Sequence, residues 1–107
     1  MNLDIYLEDK LLQVEVPPEI LEDATDFYAM MDRDMDKGWK IGPAYVEQPS
    51  SVQRAQIAAD KLLTAIETEN ERLLRLMAGY ILNKVPGVTG VRLATSGDPQ
   101  ETELLMG

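Results

Sequence analysis

Along the first 16 residues apolar and polar positions alternate. Leu3, Ile5 and Leu7 are separated by Asp4 and Tyr6; after Glu8-Asp9-Lys10, the residues Leu12, Val14 and Val16 are separated by Gln13 and Glu15. A period of two on both sides of a short polar turn predicts a β-hairpin over 1–16 with one buried face. Pro17-Pro18 then stops the strand, and Pro18 suits the first turn of a helix. The period changes at that point. Ile20, Ala24, Phe27, Tyr28, Met31 and Met35 share one face of an amphipathic helix over 18–37. Glu19, Glu22 and Asp23 crowd its first turn, where the helix dipole favours negative charge. Gly38 supplies the stop.

Residues 38–50 form a connecting segment that is too apolar for a free linker, with Trp39, Ile41, Tyr45 and Val46 beside Gly42-Pro43. Trp39 is expected to anchor it across the helices, since a lone tryptophan more often fills a core edge than stacks on a ligand. Ser50 and Gln53 have the form of a capping box, and a helical pattern then runs over 51–84. A straight helix of that length would be about 50 Å long, far beyond the ~13 Å radius of gyration of a compact chain this size. Two outcomes fit. Either a seam containing Leu62, Ile66, Leu73, Leu76 and Tyr80 meets a second copy in a dimer, or the chain turns near 68–70, where Thr68 and Glu71 resemble a second capping box. Glu69 would occupy the seam of a straight rod, which favours the turn. Gly79 inside a helical pattern points to close packing across that position. Pro86-Gly87 ends the unit, and Val88, Val91 and Leu93, followed by the turn signals of Ser96-Gly97-Asp98-Pro99, predict a β element over 87–106. The fold class is α+β: a single helix-dominated small domain with an N-terminal hairpin, an acidic helix, a long or bent helical unit and a short C-terminal β element.

Within the first helix, Asp32, Asp34 and Asp36 stand on alternate positions before Gly38 and Trp39. A calcium loop beginning at Asp32 would need glycine at its sixth position and glutamate at its twelfth, and Lys37 and Pro43 stand there. The three aspartates are therefore weak metal candidates. As helix residues they project away from the apolar stripe, and reversing Asp32 and Asp36 should spare the fold. Asp32 and Asp36 repel each other at a spacing of four and oppose the negative end of the dipole.

Composition narrows the chemistry. The chain has no cysteine and no histidine, so thiol nucleophiles, disulfides, Cys/His zinc sites and imidazole triads cannot be built. An enzyme would have to work with carboxylates, tyrosines or amines, and this reading ranks last. The net charge of −9 is uneven: residues 1–48 hold 12 acids and 4 bases, whereas 49–84 hold 4 acids and 5 bases. An acidic front half repels phosphates, so direct nucleic-acid binding is not expected. The acidic start does not resemble a signal peptide, and no apolar run is long enough to span a bilayer, so no membrane role and a cytoplasmic location are expected. The stretch LNKVPGVTGVRL, 82–93, is similar in its helix, Pro-Gly-Val, strand cadence to small ferredoxin-like domains, including heavy-metal-associated ones. It covers a dozen residues and lacks the Cys-x-x-Cys that would hold metal, so no family is assigned.

The expected function is that of a non-enzymatic interaction or accessory protein without a cofactor. It would form a homodimer and offer Glu22, Asp26, Asp32 and Asp36 to a basic protein surface. Behind it stand a divalent-cation or small-molecule binder using Asp32, Asp34, Asp36 and Trp39, and an acidic nucleic-acid mimic that occupies its target's binding site.

Overall fold

The computed structural model describes residues 1–107 and shows an α+β fold in which two helices cross one face of a mixed sheet. Strands β1 (Asn2–Leu7) and β2 (Lys10–Glu15) form the expected hairpin, pairing Leu3 with Val14 and Ile5 with Leu12. That register puts the alternating apolar residues on one side, where Leu3 and Ile5 are completely buried. The C-terminal β element consists of β5 (Val88–Arg92) and β6 (Glu103–Met106), joined through a 3-10 turn at Pro99–Glu101. In the sheet the order is β2-β1-β5-β6, with β1 and β5 parallel and the outer pairs antiparallel. Gly90 is required at the centre, because a Cβ there would run into the Asp4 carbonyl on the neighbouring strand.

The acidic helix is not continuous. It divides into α1 (Pro18–Asp23) and α2 (Thr25–Asp36), with Ala24 at φ −90°, ψ 5°. The Thr25 hydroxyl donates to the carbonyls of Leu21 and Glu22, a local bond that competes with helix propagation. The apolar stripe survives the kink: Ala24, Tyr28, Met31 and Met35 are buried, and only Phe27 at its margin stays exposed. Residues 38–50 hold more order than a connecting segment. Strands β3 (Trp39–Ile41) and β4 (Ala44–Val46) make a small second hairpin, with Ile41 fully buried and the Lys61 ammonium over the Trp39 ring.

The long helical unit turns. Helix α3 (Ser51–Glu67) starts on the expected capping box, in which Ser50 accepts from the Gln53 amide and the Gln53 side chain accepts from the Ser50 amide. Helix α4 (Glu71–Lys84) packs back against α3. Glu69 makes the corner in the left-handed region at φ 55°, and the N-cap of α4 is Asn70, whose side chain accepts from the Leu73 amide, rather than Thr68. Thr68 instead donates its hydroxyl to the Thr64 carbonyl, closing α3. The radius of gyration of 12.8 Å fits the folded-back arrangement. Gly79 is explained by a side chain rather than a backbone: a Cβ there would meet the Tyr28 hydroxyl, with Leu21 and Val16 beside it.

Candidate functional site

The turn at Glu69 decides which predicted interface residues face outward. Leu62 and Tyr80 are completely enclosed in the chain's own core, so neither lies on a surface that a second copy could touch. Ile66, Leu73 and Leu76 are partly buried against the same core. The straight seam proposed from spacing is thus taken apart by the fold: its residues are turned toward one another within one chain.

Asp32 is also not where spacing alone puts it. Its carboxylate, 28% exposed, is the hub of a clasp that ties α2 to α3 and α4. Asp32 Oδ1 accepts from the Tyr80 hydroxyl at 2.6 Å and from Arg54 Nη1 at 3.2 Å, while Oδ2 accepts from Lys84 Nζ at 2.6 Å. Arg54 extends the clasp, donating from Nη2 to Asp36 at 2.6 Å, from Nη1 to the Asp32 carbonyl and from Nε to the Pro49 carbonyl. Below it, Tyr28 and Tyr80 meet edge to face with ring centroids 5.6 Å apart, and the Tyr28 hydroxyl donates to the Leu76 carbonyl.

The electrostatics follow from this geometry. Partial burial pushes the Asp32 carboxyl up, but the hydrogen bonds from Lys84, Tyr80 and Arg54 and the Lys84 charge outweigh it and hold the group below its ordinary value. Burial likewise works against the Arg54 cation, and Asp36 and Asp32 overcome it, so Arg54 keeps its proton more tightly than usual. Burial, reinforced by the Asp32 carboxylate, drives the Tyr80 hydroxyl upward, and burial alone pushes Tyr28 up to about 12. Two carboxylates face two cations, and both tyrosines hold their protons. The arrangement is a charge-balanced tie between helices.

This corrects two expectations. Asp32, Asp34 and Asp36 do not converge, and no group of three or more acidic side chains is placed to hold a metal ion. Asp32 turns toward Arg54 and Lys84, Asp36 toward Arg54, and Asp34 stays exposed without an ion pair. Asp32 and Asp36 are therefore neutralised inside the chain, and charge reversal there would oppose Arg54 and Lys84 rather than spare the fold. The clue was present in the sequence: two aspartates that repel at a spacing of four need cations, and Tyr80 and Lys84 repeat the same spacing on a second helix.

Within α1 and α2 the acids that remain free stand on the outer side. Glu19, Glu22, Asp23, Asp26 and Asp34 are exposed and form no ion pair. Phe27, 36% exposed, and Met30, 46% exposed, stand among them. A cleft of about 320 Å³ opens beside Phe27, where Ile20, Ala24 and Leu76 make an apolar wall and Asp23, Arg72 and Arg75 a polar rim. Spacing alone named Glu22 and Asp26 as partner contacts, placed Glu19 and Asp23 beside them in the acidic first turn, assigned Phe27 to the buried stripe and left out Met30.

No helix is long and apolar enough to cross a membrane. The chain matches no protein-family model, no curated protein and no solved structure, so function has to be read from its own geometry.

Proposed function

We propose that this is a non-enzymatic interaction protein that acts as a homodimer and docks a basic protein surface on the outer face of α1 and α2. The observation that carries the reading is the division among the acids. Within α1 and α2, those that face other helices are matched by cations, whereas Glu19, Glu22, Asp23, Asp26 and Asp34 form no ion pair around exposed Phe27 and Met30, with Arg72 and Arg75 at the far rim of the cleft beside Phe27. An apolar centre inside a charged rim is the ordinary anatomy of a protein interface, with the rim setting orientation and association rate. A partner of complementary chemistry carries lysines or arginines around an apolar recess that takes the Phe27 ring.

Reversing Asp23 and Asp26 to lysine tests this on the native partner. Both side chains are exposed and unpaired, so the fold should persist while binding falls by tenfold or more, an effect on the order of 1.4 kcal/mol. Wild-type binding should also weaken steeply as salt rises. Full binding by a folded Asp23→Lys/Asp26→Lys variant would leave this face as ordinary solvated surface.

A further inference from the structure

The cleft beside Phe27 carries both signs of charge. Ile20 and Asp23 of α1 and Phe27 of α2 line it from one side, and α4 supplies Arg72, Arg75 and Leu76 from the other. The two arginines stand three residues apart, which puts them on one side of their helix. Neither is held by Asp23. Arg72 forms no ion pair, and Arg75 meets only Glu71 of its own helix, at 3.6 Å with both side chains well exposed. A contact of that kind contributes little. Between the walls lies an apolar floor, flanked by opposite charges that do not neutralise each other.

This pattern restricts what can dock. A surface that is basic throughout would suit Asp23 but would bring its cations against Arg72 and Arg75, and like charges juxtaposed across an interface oppose binding. An uncharged apolar segment would strip water from the charged rim and return no partner to it. A helix with an apolar stripe and separately charged flanks meets both walls at once.

We infer that the occupant is an amphipathic helical segment of the partner that carries charges of both signs. Its apolar side chains seat between Ile20, Phe27 and Leu76, its cations lie on the α1 side against Asp23, and its carboxylates lie on the α4 side against Arg72 and Arg75. Arginine suits that role, because its planar fork can bond both oxygens of a carboxylate. The charge division also sets the direction of docking, since a segment laid the opposite way round would place each charge against its like. This rests on the reading of α1 and α2 as a face for a basic partner, and adds that the contact segment is acidic along one flank.

Two synthetic helical peptides with the same leucine stripe test it against the full chain. One carries lysine on both flanks of the stripe, and the other lysine on one flank and glutamate on the other. In calorimetric titration the mixed-charge peptide should bind at least tenfold more tightly, although its smaller positive charge draws it less strongly to a chain of net charge −9. Arg72→Glu/Arg75→Glu should invert that preference, and both side chains are exposed, so the fold should persist. A folded variant that kept the wild-type preference would overturn the assignment of the arginines. Should the variant fail to fold, the comparison on the wild type still decides. Equal binding of the two peptides by the wild type, or tighter binding of the lysine peptide, would overturn the mixed-charge segment and leave the acidic face standing. Saturable binding of neither peptide would overturn both.

Discussion

At Asp32 one carboxylate on α2 accepts from Arg54 on α3 and from Tyr80 and Lys84 on α4, so a single side chain holds three helices in register. Asp32→Asn keeps the shape but removes the charge that compensates Lys84 and Arg54. The expected loss is about 2 kcal/mol, below that of a fully buried pair because Asp32 is part-exposed. The sign of the pH dependence follows from the lowered folded value. The Asp32 contribution is complete above the ordinary carboxylate value of 3.8 and disappears as pH falls through the lower folded value. Urea unfolding should therefore separate wild type from Asp32→Asn at neutral pH, and the gap should close as the solution is acidified below that range. A gap that persisted unchanged would mean that Asp32 contributes by packing. Tyr80→Phe, which removes one donor and leaves both cations in place, should cost about 1 kcal/mol in the same experiment.

Among the elements, the corner at Glu69 is the most exposed to test. A non-glycine residue in the left-handed region carries a backbone cost of about 1–2 kcal/mol, so Glu69→Gly should be neutral or stabilising by up to about 1 kcal/mol. In an unbroken helix the same change would cost about 1 kcal/mol, and thermal melting tells the two apart. How far the elements were legible depends on where their causes lie. The hairpin, the stripe from Ala24 to Met35 and the Ser50–Gln53 cap rest on neighbours within a few residues, and periodicity reveals them. The kink at Ala24 has no punctuating glycine or proline; its cause is a Thr25 hydroxyl bond that a generic helix pattern cannot show. The turn was visible through the excess length of a straight rod, the misplaced charge of Glu69 and a Thr68–Glu71 capping signature, but the cap that serves it, Asn70, carries no glutamate signature three residues on. The parallel pairing of β1 with β5 joins residues more than eighty positions apart, which no local pattern encodes. The clasp was hidden for the same reason, since Asp32 meets its partners only after α3 and α4 fold back.

At the scale of the whole molecule, exposed acids are spread over the surface, and those of α1 and α2 stand around two exposed apolar side chains. The inner face of the sheet and the helical hairpin enclose one core, and the α1–α2 surface keeps unpaired acids around Phe27 and Met30. A homodimer would present its acidic face twice, and a partner with two basic sites would gain by avidity. The central claim is that the acidic face docks a basic partner, and amide chemical-shift mapping tests it most directly. Labelled protein is titrated with a lysine-rich amphipathic peptide that carries aromatic residues. Saturable shifts confined to residues 19–34, with Phe27 and Met30 among the largest and the whole response fading at high salt, are the predicted result. Shifts scattered over all acidic residues, Glu47, Asp60 and Glu103 included, and indifferent to Phe27→Ala would contradict it.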